Sequence, residues 1–192
     1  MALFAQIETI AEQLRGLAPI VDRYEAGDPE FPRATAAWLR DAERLMASHK
    51  LPEGAELPAL RASIAAAADQ VRADEGRAYR RRAANVAAAS ALERAEQLLR
   101  EQHQRAARRL EHFEEKLIEA VTAAVIIDLV QRPPAKRWEE WLHKVWAELT
   151  AHTATRPTTV YIATSLSSPD RLYILDRVLS RLVELELPVL RR

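Results

Sequence analysis

The feature that most constrains this chain is the absence of helix breakers across its middle. Between Pro58 and Pro133 there is no proline, and Gly76 is the only glycine. Residues 77–131 consist mainly of Ala, Arg, Glu and Leu, which favour helix, and they predict one helix about 80 Å long. A compact domain of this size has a radius of gyration of only about 16 Å. Such a helix must protrude, be covered by other helices or pair with a second chain.

The long stretch carries an apolar seam. Apolar residues recur at spacings of three and four, which is typical of a helix that packs against other helices. Helices of roughly 25–35 Å cover such a seam only if they stack end to end along it, so we expect part of it to receive a partner. We expect residues 117–130, which are apolar on nearly all sides, to be enclosed. The candidate partner contacts on this seam are Leu99, Leu110 and Phe113.

Shorter helices precede the long one. A heptad-like apolar stripe opens the chain, and a proline within it predicts a break near residues 16–19. A second helix is predicted over 33–48 and a third over 58–75, with Gly76 as the C-terminal cap of the third.

The C-terminal part predicts further helices. Two prolines end the long helix, and Pro134 suits the first turn of a helix over 134–151. Residues 159–164 have strand propensity, but a single strand cannot form a sheet, so we favour a helix or an irregular passage. Ser168 is the predicted N-cap of a last helix over 169–187.

Tryptophans mark the helix predicted at 134–151. Two tryptophans and three aliphatic side chains fall on one stripe at spacings of three and four, which favours a core face over a membrane-surface helix. Trp146 lies off that stripe, and it is the candidate exposed aromatic anchor for a partner. The members of the stripe are Trp138, Trp141, Leu142, Val145 and Leu149.

Together these patterns predict an all-α protein: an elongated bundle of about six helices built around one very long helix at about 77–131. We divide the chain into an N-terminal helical segment (1–76), the long central helix (77–131) and a C-terminal helical subdomain (132–192) that packs on the apolar end of the long helix.

Composition excludes several classes of protein. The 28 basic residues balance 28 acidic ones, so no overall field favours nucleic acid or an anionic membrane. The chain has no cysteine, which excludes disulfides and thiolate chemistry. It has no apolar stretch long enough to span a bilayer and no signal-peptide pattern, so we expect a cytoplasmic protein.

Arginines cluster in two places on the long helix. Guanidinium groups bind phosphates or acidic side chains, although a solvated helix face paired with neighbouring acids explains the same residues. Three successive arginines fan around the helix and so do not form one stripe. The candidate phosphate or acidic-partner contacts are Arg77, Arg80, Arg81, Arg82, Arg105, Arg108 and Arg109.

Motifs for catalysis and metal binding are sparse. Glu140 and His143 form a single Glu-x-x-His without the second copy that a di-iron bundle needs, and we expect no metal site and no cofactor. The chain lacks a nucleophile elbow and has only four glycines, too few for a typical phosphate-binding loop.

The function predicted from these observations is a non-catalytic helical interaction module: an adaptor, scaffold or regulatory subunit that associates by coiled-coil-like helix packing. We expect a homo-oligomer or another helical protein as partner. Two alternatives stay open: nucleic-acid binding by the arginine-rich end of the long helix, and a small-ligand or enzyme pocket in the C-terminal bundle.

Overall fold

The computed structural model describes residues 2–69, 76–130 and 136–184. These residues contain helices and turns but no strand, which confirms the all-α bundle built around one long helix. The helices are α1 (Leu3–Arg15), α2 (Ala18–Glu25), α3 (Phe31–Ser48), a 3₁₀ turn (Pro52–Glu56), α4 (Leu57–Asp69), α5 (Gly76–Ile126), α6 (Trp138–Ala151), α7 (Arg156–Ser165) and α8 (Ser168–Glu184).

The chain forms two compact units. The first unit is Gln6–Arg105, and the second combines Met1–Ala5 with Ala106–Arg192. Helix α5 therefore supplies residues to both. The division into segments 1–76, 77–131 and 132–192 stays a prediction.

Helix α5 is continuous over 51 residues, but it ends five residues before the predicted position. Asp128 adopts a left-handed conformation with φ of 59°. Its N–H bonds to the Val125 carbonyl at 3.1 Å, and the N–H of Leu129 bonds to the Ala124 carbonyl at 2.9 Å. This is the Schellman arrangement, which satisfies carbonyls that would otherwise lack a donor. An Asp that tolerates the left-handed region thus ends the helix before the prolines are reached.

The prediction that residues 117–130 are enclosed is wrong for one side of the helix. Leu117 and Val121 are fully buried, whereas Ile118, Ile126 and Ile127 are 37, 76 and 47% exposed. The buried and exposed residues alternate with the helical period. The second unit therefore covers one face of this stretch and leaves the opposite face open.

The first unit has a core of aliphatic and aromatic side chains. Gly54, in the 3₁₀ turn, is buried because that turn lies directly against α3. A Cβ at Gly54 would lie 2.8 Å from the Met46 Cβ, and Met46 itself is fully buried. The core includes Ile10, Phe31, Leu39, Met46, Leu57, Ala95 and Leu99.

Replacing Gly54 with alanine should destabilise the protein by about 1–3 kcal/mol, because the new methyl group overlaps a fixed Cβ rather than a movable side-chain end. The measurement is the midpoint of chemical denaturation. Ala55→Ser, at an exposed position of the same turn, is the control and should change stability by less than about 0.5 kcal/mol. An unchanged midpoint for Gly54→Ala would contradict this close packing.

The helix boundaries in the first unit follow the sequence signals closely. The predicted break near residues 16–19 is confirmed, since α1 ends at Arg15 and α2 begins at Ala18 with Pro19 in its first turn. Helix α3 begins two residues before its predicted start. Gly76 has φ of 76° and is the first residue of α5. Its predicted role as a cap of α4 involves residues 70–75, which lie outside the described residues.

In the second unit, the structure shows where α6 begins and which conformation residues 159–164 adopt. Helix α6 begins at Trp138 rather than at 134, because Arg137 is left-handed with φ of 69°. The role of Pro134 in a first turn lies outside the described residues. Residues 159–164 are helical, within α7, as favoured. Thr159 and Ile162 are buried there at a helical spacing, so packing has overridden strand propensity.

The N-cap of α8 is Ser167, so the prediction of Ser168 is wrong. Ser167 Oγ accepts the N–H of Asp170 at 3.3 Å and donates to the Asp170 carboxylate at 2.8 Å. That carboxylate is fully buried, and its two oxygens accept the N–H groups of Leu3 and Phe4 at 2.8 and 3.0 Å. Asp170 therefore satisfies two donors in the first turn of α1 from a distant part of the chain.

The two serines give a direct test of this assignment. Ser167→Ala should lower the free energy of unfolding by about 0.5–2 kcal/mol, since it removes the cap and a hydrogen bond to a buried carboxylate. Ser168→Ala is the matched control at an exposed position and should have an effect within about 0.5 kcal/mol. Thermal denaturation of both variants is the measurement, and equal losses of stability in the two variants would contradict the assignment of Ser167 as the N-cap.

Candidate interaction surface

An open apolar groove lies in the first unit, between α4 and the first turns of α5. Its volume is about 540 Å³. Tyr79 and Val86 are 53 and 61% exposed, which is high for large apolar side chains. The lining residues are Ala67, Tyr79, Arg82, Ala83, Val86 and Ala87.

The groove follows from the order of residues along α5. Tyr79, Ala83 and Val86 recur at spacings of four and three, so they share one face of the helix. The alanines in the lining leave space between the two helices. The sequence analysis identified neither Tyr79 nor Val86, because their row lies on the face of α5 opposite the apolar seam that contains Leu99.

Four of the predicted arginines belong to the same end of α5. Their side chains are exposed, and none forms an ion pair with a described residue. Arg82 is itself part of the groove lining. These four are Arg77, Arg80, Arg81 and Arg82.

The other three predicted arginines differ in the contacts that their side chains make. Arg105 Nη1 lies 2.6 Å from Glu53 Oε1 in the first unit. In the second unit, Arg109 donates to the Ser165 carbonyl at 3.3 Å. Arg108 is exposed. Arg105 belongs to the first unit, and Arg108 and Arg109 belong to the second.

The predicted partner contacts on the seam lie inside the protein. Leu99 is fully buried in the core of the first unit, and Leu110 and Phe113 are each 4% exposed. Their surface is already removed from water by the chain's own packing. A partner would reach these side chains only if that packing opened.

Trp146 is half-buried rather than freely exposed. The guanidinium carbon of Arg171 lies 5.4 Å from the centroid of its ring, within the range of a cation–π contact. Trp138, on the same helix, is also half-buried, and its Nε1 donates to Asp176 at 2.6 Å. Both indoles are therefore tied to α8, and a role of Trp146 as a partner anchor stays a prediction.

Ion pairs attach the 3₁₀ turn to α5 within the first unit. Arg94 makes a bidentate contact with Glu56 at 2.7 and 3.0 Å, and these hydrogen bonds lower the pKa of Glu56. The pKa of Glu53 is lowered first by a hydrogen bond from its own backbone, and then by Arg105. Gln102, a polar residue of α5, is 1% exposed.

The second unit contains a buried carboxylate of its own. Glu114 on α5 is 5% exposed. Arg181 lies 2.8 Å and Arg177 3.4 Å from its two oxygens. Since both arginines are on α8, this cluster is satisfied within the fold and attaches α8 to α5.

The single Glu-x-x-His is on the surface of α6. Glu140 and His143 are both exposed, and Glu140 pairs with Arg137 at 3.5 Å. Across the described ranges, no group of three or more His, Cys, Asp or Glu side chains is arranged to hold a metal ion.

Comparisons with known proteins give no relative: no protein-family model, no curated protein and no solved structure matches the chain. None of the described helices combines the length and the hydropathy that crossing a bilayer requires.

The ion pairs of the 3₁₀ turn predict how stability depends on pH. The pKa values of Glu53 and Glu56 are lowered below 4.5 in the folded protein. The two carboxylates therefore contribute to the free energy of unfolding above about pH 4.5, and this contribution is lost as the pH falls through their lowered pKa values. Glu53→Gln with Glu56→Gln should reduce stability at neutral pH and flatten its decline in acid, as measured by urea denaturation at a series of pH values.

A double variant with the same change in charge provides the control. Glu25 and Glu93 are exposed and form no ion pair with a described residue. Glu25→Gln with Glu93→Gln should leave the acid decline as steep as in the original chain. If both double variants flatten it equally, total charge rather than these ion pairs sets the pH dependence.

Proposed function

We propose that this protein is a non-catalytic helical interaction module, an adaptor, scaffold or regulatory subunit, that receives a helix of a partner protein in the groove between α4 and α5. The observation that carries the proposal is the pair of large apolar side chains, Tyr79 and Val86, exposed beside an open apolar groove. Surfaces of this kind commonly mark binding sites, and aromatic residues are frequent binding anchors.

The groove favours recognition of a helix over other peptide conformations. Both walls are helices, whose interior backbone groups are bonded within the helix, so no strand edge is available to pair with an extended peptide. Among the described residues, Tyr79 is the one aromatic that lines the groove, whereas grooves for proline-rich peptides are lined by several. Apolar side chains from one face of an amphipathic helix fit such a groove.

Burial of the apolar seam makes it a less favourable binding site for a partner than the groove. Association through Leu99, Leu110 or Phe113 would expose core side chains of this chain before any new contact formed. At Val86 no such cost arises, because the side chain is already in water. We therefore place the proposed interface at the groove.

The test is selection of helix-forming peptides from a library of unbiased charge on the full chain, followed by fluorescence polarisation of enriched peptides. Val86→Glu should weaken binding by roughly tenfold or more, since it places a charge in an apolar contact. Ala37→Glu is the control, because Ala37 is exposed on α3 and does not line the groove. Circular dichroism should show that both variants stay folded.

Two results would overturn the proposal. One is a selection that yields no helical peptide. The other is a set of binders whose affinity is the same for Val86→Glu and Ala37→Glu, which would place the contact elsewhere on the protein.

Nucleic-acid binding is the second candidate, supported by the four exposed arginines at the start of α5. It predicts that the affinity for a fluorescein-labelled single-stranded oligonucleotide falls steeply with salt, because each neutralised phosphate releases counterions. Binding of a helix through apolar contacts should depend only weakly on salt, and a salt titration of both probes separates the two candidates.

A further inference from the structure

We propose that the groove selects an acidic amphipathic helix: one whose apolar residues at i, i+4 and i+7 enter the groove while carboxylates beside them meet Arg80 and Arg82. This inference rests on the proposed function and adds the chemistry of the partner. It depends on where each arginine lies around α5.

The positions of the arginines follow from the rotation of about 100° per residue in an α-helix. Relative to Tyr79, the groove residues Val86 and Ala83 lie within about 40°. Arg82 lies about 60° to one side, and Arg80 lies about 100° to the other. The apolar face is therefore flanked by a cation on each side.

The remaining two arginines of the cluster lie elsewhere. By the same rotation, Arg77 and Arg81 are each about 160° from Tyr79, on the opposite face of α5. The cluster is therefore two pairs of arginines at different positions around α5. Arg82 lines the groove and Arg80 lies on the other side of its apolar face, whereas Arg77 and Arg81 lie on the opposite face of the helix.

The length of the groove matches a short helical segment. Its lining on α5 extends from Tyr79 to Ala87, which is about 12 Å along the helix axis. Residues i and i+7 of a bound helix are about 10.5 Å apart, so three anchors on one face fit the groove. Flanking carboxylates then lie on either side of the anchor row, where the two arginines are.

Charge argues against two other occupants. A second copy docked groove to groove would bring the Arg80 and Arg82 pairs of both copies together without compensating acids among the described groove residues, and like charges repel. A nucleic acid would use the arginines of both faces for its phosphates and would leave the apolar groove unfilled. An acidic helix uses the groove and its flanking cations together.

The experiment measures two designed peptides by fluorescence polarisation with the full chain. Both have Leu at i, i+4 and i+7; the flanking residues are Glu in one peptide and Lys in the other. The Glu peptide should bind the original chain more tightly by about tenfold or more, because two attractions replace two repulsions. Reversing the groove pair with Arg80→Glu and Arg82→Glu should exchange the preference.

The matched control reverses the pair on the opposite face, with Arg77→Glu and Arg81→Glu. It changes the net charge of the same segment by the same amount. The preference for the Glu peptide should therefore fall much less than in the groove variant. Equal effects of the two double variants would show non-specific electrostatic attraction and would overturn the proposal.

The remaining outcomes separate this inference from the function on which it rests. If both peptides bind with equal affinity and Val86→Glu weakens both, the groove binds helices but the acidic preference is wrong. If neither peptide binds in a manner sensitive to Val86→Glu, both proposals fail. If a single-stranded oligonucleotide binds and both double variants weaken it equally, nucleic-acid binding replaces the acidic helix.

Discussion

The packing of short helices against one unbroken helix is the constraint on which this structure depends. Helix α5 supplies Leu99 to the core of the first unit and Leu117 to the buried face of the second. Neither side chain would be buried in an isolated helix, because a helix buries a side chain only when another element covers it. The continuity of α5 is determined by its local sequence, since no helix breaker interrupts it. Its stability depends on the apolar area that its neighbours remove from water.

The proposed binding surface occurs where this coverage is incomplete. Leu99 is fully covered in the core, whereas Tyr79 and Val86, on the opposite face of α5, line an open groove to which α4 contributes the small residue Ala67. This surface combines exposed apolar side chains with flanking arginines that form no ion pair with a described residue. The same helix therefore acts as core at one position and as proposed recognition surface at another.

Much of the fold was predictable from local signals. Apolar periodicity predicted the helical class. The positions of prolines and glycines predicted the break near Pro19 and the continuity of α5. The site was less predictable. Leu110 and Phe113 were expected to meet a partner because periodicity identifies which face is apolar, but it does not tell whether that face is covered by the chain itself. Val86 was missed because it lies on a different face of α5 from that seam.

The sequence by itself determined where helices form and which face of each is apolar, because propensity and spacing act within a few residues. Tertiary structure decided what covers each face: that Leu99 is core, that Val86 is exposed, and that the buried Asp170 satisfies the first turn of α1 from more than 160 residues away. It also decided that residues 159–164, with their strand propensity, form a helix. Burial and long-range hydrogen bonds depend on the spatial neighbours of a residue, and a linear pattern does not specify these neighbours.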